Sequence, residues 1–160
     1  MNELDIYRSM GGLIKQLNLG DVQATNAESK KYGLVFSATQ AEELVKVRSE
    51  AIRNHGRVEL GIEVVSKIIT AFCRSKYINQ DEYAATIGEL IDIFYQMKNE
   101  TEDKIGDDEL IEAMQEYYNG SCKGSLDLLR YREMDLYVIN FRRLQQEREY
   151  ALLVSKADDE

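Results

Sequence analysis

Apolar residues recur at intervals of three and four along most of this chain, which places them on one side of successive α-helices. The most apolar of these stretches, over about 59–75, predicts a helix at the centre of the core. The same spacing predicts further helices over about 39–55, 80–98, 107–119 and 132–155. A chain patterned in this way throughout is typical of an all-α protein.

Several of the predicted helices carry capping residues at their ends. Thr39 with Glu42 forms the capping-box pattern that begins a helix, while Ser37 with Gln40 is a competing pattern two residues earlier. Gly56 follows the same predicted helix, and glycine ends a helix readily because it adopts a left-handed backbone without strain. These residues therefore predict where the first strongly patterned helix begins and ends.

The N-terminal part of the chain is less regular. Gly11 and Gly12 interrupt an apolar stripe with helical spacing, so we expect a weak or bent helix there. Residues 20–31 are small and polar and predict a linker or mobile loop. The apolar run 32–36 predicts an extended piece that packs on the core. The interrupted stripe consists of Leu4, Tyr7, Met10, Ile14 and Leu17.

Length and composition agree with a helical domain. The 160 residues fit one domain, and the absence of proline, which breaks helix interiors, favours helices joined by short connections. The sequence predicts an all-α single domain of five to seven helices, arranged as an irregular bundle or an orthogonal array. Within the domain 1–160 we assign 1–31 to a candidate mobile N-terminal segment, 32–131 to the helical core and 132–160 to a C-terminal helix.

The charge balance narrows the range of partners. A formal net charge of −9 opposes binding to phosphate backbones, so nucleic acid is an unlikely partner. The sequence has no apolar run long enough to span a bilayer and no signal-peptide pattern at its N-terminus, so we expect no membrane partner and a cytoplasmic location. Two cysteines are too few for a disulfide scaffold.

The acidic connection at residues 98–109 is the first candidate site. Aligned with an EF-hand calcium loop, Ile105 takes position 8 and Glu109 takes position 12. Lys98 then replaces the first carboxylate ligand, and Asp103 stands where the loop needs glycine. We therefore expect a solvated connection between two helices, with small-molecule or metal sensing through residues 98–109 as the alternative function.

Cys122 and His55 are the residues most suited to nucleophile or base chemistry. Cys122 lies beside Lys123 and just ahead of a helix start, and both features lower the pKa of a thiol, so it is a candidate reactive thiol. An ordinary turn between two helices is the alternative. We expect His55, beside Gly56, to have a structural role at a helix C-terminus.

Common catalytic motifs are absent from the sequence. The glycine-rich nucleotide loops, the zinc-protease pattern and the nucleophile elbow of serine hydrolases are all missing. The sequence therefore predicts a non-enzyme with no catalytic residues, no metal site and no cofactor.

The predicted C-terminal helix combines arginine with aromatic residues, a composition found at many protein interfaces. Its candidate interaction residues are Arg142, Arg143, Phe141 and Tyr137, with a solvated helix face as the alternative. Because no site chemistry stands out elsewhere, we predict a cytoplasmic protein-interaction module that binds a protein partner or itself. The helix also carries a short coiled-coil-like stripe of Met134, Tyr137, Phe141, Leu144 and Ala151.

Several blocks of the sequence carry a family resemblance. They are GRVELG at 56–61, AFCRSKY at 71–77, IFY at 93–95, KNE at 98–100, DDELIE at 107–112 and GSCKGSL at 120–126. Together these blocks resemble a family of small uncharacterised proteins from clostridia-like Firmicutes, classified as a domain of unknown function. The resemblance covers about 32–129 and implies a bacterial cytoplasmic protein. It implies no activity, cofactor or catalytic residue.

Overall fold

The computed structural model describes residues 2–158, apart from the side chains of Leu4 and of residues 6–9. Over this range the chain is helical without strands, which confirms the predicted all-α single domain, and its six helices fall within the predicted five to seven. Leu4 and Tyr7 of the N-terminal stripe lie outside the described side chains. The helices are α1 (Glu3–Ala24), α2 (Ala38–Asn54), α3 (Glu63–Phe72), α4 (Tyr83–Glu100), α5 (Asp107–Asn119) and α6 (Met134–Asp158).

Short turns join these helices. They are Asn26–Ser29, Lys30–Tyr32, Gln80–Glu82 and Leu126–Leu128, followed by a π-helical turn at Leu129–Glu133. None of the helices within residues 2–158 is long and apolar enough to cross a membrane.

Helices α3 and α4 share the centre of the core. Helix α4 packs against α2 and α3, and α3 packs in turn against α5. The large side chains of Phe72, Phe94 and Tyr95 are almost completely shielded from solvent. Core formation therefore depends on both helices, and not on the predicted 59–75 helix alone.

The predicted 59–75 helix is shorter than expected, because residues 59–62 are not helical and the helix ends at Phe72. The buried guanidinium of Arg48 donates hydrogen bonds to the carbonyl oxygens of Glu59 and Gly61, the second at 2.7 Å. These carbonyls are satisfied by a side chain from α2, so residues 59–62 need no helical hydrogen bonds of their own. Helix α3 therefore begins at Glu63.

The N-terminal region is more helical than the sequence predicts. Helix α1 runs through Gly11 and Gly12 without interruption, and the expected loop over 20–31 is helical or tightly turned. Val22 and Ser29 are buried there, and the Ser29 hydroxyl donates to the Leu34 carbonyl at 2.6 Å. Residues 20–31 were predicted to form a loop because they are polar, but they are also small enough to pack closely. The loop prediction was therefore wrong.

The segment predicted to be extended, 32–36, is neither helix nor strand from Leu34 onward, and Leu34 and Phe36 are buried in the core. Phe36 is bound in both directions by Asn26, with its N–H donating to Oδ1 at 2.8 Å and its carbonyl accepting from Nδ2 at 3.0 Å. The Phe36 ring stacks on Tyr83, with 4.1 Å between the ring centroids. The hydrogen bonds with Asn26 and the ring stacking on Tyr83 thus attach this segment to the core.

The start of α2 follows the competing capping pattern. The Gln40 N–H donates to Ser37 Oγ at 3.1 Å, and the Ser37 N–H donates to Gln40 Oε1 at 2.9 Å. The capping box predicted at Thr39 is therefore wrong, because the extended segment before it ends at Ser37. The predicted end at Gly56 is confirmed, with a backbone φ of 65°.

Candidate functional site

Helix α6 is anchored to the domain at its N-terminal end. Met134 and Val138 are the buried residues of this helix. Just before it, Arg130 makes an ion pair with Asp92 at 3.0 Å and donates a hydrogen bond to Gln96 at 2.6 Å. These contacts to α4 set the direction in which α6 leaves the body of the domain.

Arg142 makes a contact within the chain. Its Nε donates to the carbonyl oxygen of Glu100 at 2.7 Å, at the C-terminal end of α4. A helix leaves its last carbonyls without helical partners, so a cation there both fills a hydrogen bond and complements the helix dipole. Arg142 therefore has a structural role in addition to the predicted interaction role.

The other predicted interaction residues lie on different sides of α6. Tyr137 and Phe141 are half-buried against the domain, and Tyr137 meets Tyr117 of α5 edge-on with centroids 6.4 Å apart. Arg143 points away from the domain and pairs with Glu147 of its own helix at 3.2 Å. The structure thus places the four predicted residues on one helix, but not on one surface.

A groove of about 530 Å³ separates α6 from α5. Tyr117, Tyr137, Phe141 and Leu144 contribute its apolar wall, and Arg148 is among its polar lining residues. The first four residues of the predicted coiled-coil-like stripe, from Met134 to Leu144, therefore face the domain or this groove.

Most of α6 is exposed beyond its anchored end. The ion pair between Lys104 and Glu149, at 3.8 Å, lies near the upper limit for such a contact. Seven large apolar side chains on α6 are between 41% and 71% exposed, and they lie on more than one side of the helix. They are Leu136, Ile139, Leu144, Tyr150, Leu152, Leu153 and Val154.

The acidic connection between α4 and α5 contains a cation from the chain itself. The Nζ atom of the buried Lys98 lies 2.8 Å from Asp107 Oδ1 and 3.6 Å from Asp103 Oδ1, and donates to the Ile105 carbonyl at 2.7 Å. The lysine ammonium thus occupies the centre of the loop. Among the described residues no group of three or more His, Cys, Asp and Glu side chains is arranged to hold a metal ion.

Arg57 completes this polar network from the segment after α2. Its guanidinium pairs with Asp103 and lies over the ring of Tyr95, 5.6 Å from the centroid. The hydrogen bond from Arg57 lowers the pKa of the Asp103 carboxyl. The acidic side chains are therefore held by lysine and arginine, and this arrangement offers no support for metal sensing.

Replacing Lys98 by methionine should destabilise the domain by about 2 kcal/mol, because Asp103 and Asp107 lose their buried counter-charge. The cost is lower than the ~3–5 kcal/mol of a fully buried pair, since both carboxylates keep contact with water. Urea unfolding followed by circular dichroism measures the change. Lys104→Met is the matched control, because Lys104 is exposed and should change stability by less than about 0.5 kcal/mol. Equal effects of the two substitutions would contradict a structural role for Lys98.

The structure does not support a reactive Cys122. Its side chain is buried, and this burial raises the pKa of the thiol instead of lowering it as the sequence pattern predicted. Lys123 lies on an exposed turn, whereas Cys122 packs into the core, as in the alternative of an ordinary turn between two helices. His55 occupies the C-cap position of α2, as predicted.

A second groove, missed by the sequence reasoning, lies between α2 and α4. It measures about 490 Å³, with Leu44, Ala51 and Gly88 among its apolar lining residues and Glu43 and Glu50 among its acidic ones. The small residues at 84, 85 and 88 of α4 were the available signal. Without the packing of α2 they could not be distinguished from ordinary helix residues.

The fold and its surfaces define a small all-α domain whose last helix leaves most of its apolar side chains exposed. By sequence, the chain belongs to the Family of unknown function (DUF6323), which matches residues 21–147. This confirms the predicted resemblance to a family of unknown function. The match is longer than the predicted range of 32–129 on both sides and includes the anchored part of α6. No curated protein and no solved structure matches the chain.

Proposed function

We propose that this protein is a non-enzymatic protein-interaction module and that α6 is the element that binds the partner. The observation that supports the proposal is the exposed apolar surface of α6, where seven large side chains are at least 41% accessible. Covering apolar side chains is favourable in water, so a protein that binds over them gains free energy. The net charge of −9 favours a protein over a nucleic acid as the partner.

The polar groups of the interior support a structural reading over a catalytic one. Lys98 and Arg57 are engaged by the carboxylates and the carbonyl around them, and Arg48 binds backbone carbonyls. Such contacts hold loops in place, which supports a structural role for these three side chains. A cytoplasmic location is part of the proposal, because the free cysteines Cys73 and Cys122 suit a reducing compartment.

A photo-crosslinking residue placed on α6 tests the proposal in cells. With benzoylphenylalanine at Ile139 in the full chain, we expect crosslinked adducts to a protein, because this exposed position lies in the apolar surface. The same residue at Lys46, an exposed position on α2, is the matched control and should give none. An absence of adducts at Ile139, or equal adducts at both positions, would contradict an interaction role for α6.

A further inference from the structure

The outward side of α6 has a repeat of its own, separate from the stripe that faces the domain. Its members alternate at intervals of three and four, which is the spacing of a coiled-coil seam. All of them are exposed, and they lie away from the buried Met134 and Val138. We name this set the outer stripe: Leu136, Ile139, Arg143, Gln146, Tyr150 and Leu153.

We propose that the outer stripe pairs in the antiparallel direction with the outer stripe of a second copy of this chain; this inference rests on the proposed function. In this arrangement a two-fold axis relates the two copies and passes the helix between residues 144 and 145. Leu136 then meets Leu153 of the second copy, and Ile139 meets Tyr150 of the second copy. Symmetry repeats both pairs, so apolar layers lie at each end of the seam.

The polar centre of the stripe selects this direction. In the antiparallel arrangement Arg143 meets Gln146 of the second copy, and the two side chains can form a hydrogen bond. A parallel arrangement in register would place Arg143 against Arg143 of the second copy, and like charges in one layer repel. The arginine therefore disfavours the parallel pair without preventing the antiparallel one.

The residues that flank the seam have complementary charges in the same register. Asp135 lies beside Lys156 of the second copy, and symmetry repeats this pair. Both residues are exposed on α6. Charges at the flanking positions set the partner and the orientation in coiled coils. Two independent features, the apolar layers and these ion pairs, thus agree on one register.

The size of the seam indicates a weak association. The span from Leu136 to Leu153 is roughly 26 Å at 1.5 Å per residue. A single helix pair of this length buries less than the ~1,200–2,000 Å² of a standard stable interface. We therefore expect monomer and dimer to exchange with concentration, with half-dimerisation at concentrations on the order of 10–100 µM.

Sedimentation equilibrium on the full chain tests the association and the role of the stripe. Leu153→Asp should weaken dimerisation roughly tenfold or more, because symmetry places two aspartates in apolar layers. Leu152→Asp is the matched control, since Leu152 is equally exposed but lies outside the stripe. Circular dichroism melting should show the two variants to be equally folded, because both side chains are exposed.

Cysteine crosslinking tests the direction. Chains carrying Ile139→Cys and chains carrying Tyr150→Cys should form a disulfide-linked dimer when they are mixed under oxidising conditions. Neither chain should crosslink alone, because identical positions lie roughly 16 Å apart along the helix in this register. The unsubstituted chain, whose two cysteines are buried, provides the background.

Three results would overturn the inference. They are a chain that stays monomeric up to about 1 mM, equal effects of Leu152→Asp and Leu153→Asp, and crosslinking of either cysteine variant alone. A monomer that still forms photo-adducts at Ile139 with another protein would overturn self-pairing and leave the proposed function standing. If the chain dimerises but Leu153→Asp does not weaken the dimer, the two copies associate through a different interface and the inference is overturned.

Discussion

Raising the pH from 8 to 11 should remove roughly 3 kcal/mol of stability through two buried tyrosines alone. Burial raises the pKa of Tyr83 to about 12 and that of Tyr118 to about 12. An unfolded tyrosine ionises near pH 10, so above that pH the unfolded chain releases protons that the folded chain keeps. The stabilisation is therefore complete below about pH 10 and declines as the pH rises towards 12.

Urea unfolding at several pH values measures this loss. At pH 11 each of these groups should account for roughly 1.4 kcal/mol, so Tyr118→Phe should reduce the loss between pH 8 and pH 11 by that amount. Burial also raises the pKa of Tyr95, which adds to the effect in the same direction. Tyr150→Phe is the matched control, because Tyr150 is exposed and should leave the pH dependence unchanged. If Tyr118→Phe has the same pH dependence as the unsubstituted chain, burial of this phenol is not the cause.

The substitution Gly124→Ala should destabilise the domain by about 3 kcal/mol. Gly124 has a φ of 81°, which a side chain tolerates poorly, and an added Cβ would lie 2.5 Å from Tyr77 Cβ. The Tyr77 ring packs edge-on against the buried Tyr118, and the Gly124 N–H donates to the Tyr118 carbonyl at 2.8 Å. These contacts hold both Gly124 and Tyr77 in place, so the backbone must move to relieve the clash.

A second glycine allows the cost of the left-handed backbone to be measured separately from the cost of the clash with Tyr77. Gly56 also has a left-handed backbone, with φ of 65°, but an added Cβ would meet no atom within 4 Å. Gly56→Ala should therefore cost only the ~1–2 kcal/mol of the backbone conformation. Chemical denaturation of both variants gives the comparison. Equal losses would mean that Tyr77 moves aside without cost, contrary to the expected clash.

Much of the helical architecture follows from the sequence alone. The three-and-four spacing of apolar residues predicts helices in the regions of α2 to α6, because a helix buries one side at a time. Gly56 marks the end of α2 for a local reason, its freedom to adopt a positive φ. These features depend on neighbours within one or two turns and can be predicted from the residues themselves.

The features that concern the site depend on residues distant in the chain. Arg48 shortens α3 by binding carbonyls that would otherwise require helical partners, and packing buries Cys122 despite its polar neighbours. Lys98 lies in the acidic connection because α4 directs its side chain there. Sequence spacing identified the acidic residues but could not show that their counter-ion is a lysine.

Helix α6 likewise has one feature that the sequence determines and another that only the tertiary structure decides. The sequence determined that this segment is a helix with a short apolar stripe at three-and-four spacing. Only the tertiary structure decided which apolar side is covered, because the anchoring of Met134 and Val138 and the cap that Arg142 provides for α4 orient the helix. Burial depends on what packs against a surface, and local spacing contains no information about that neighbour.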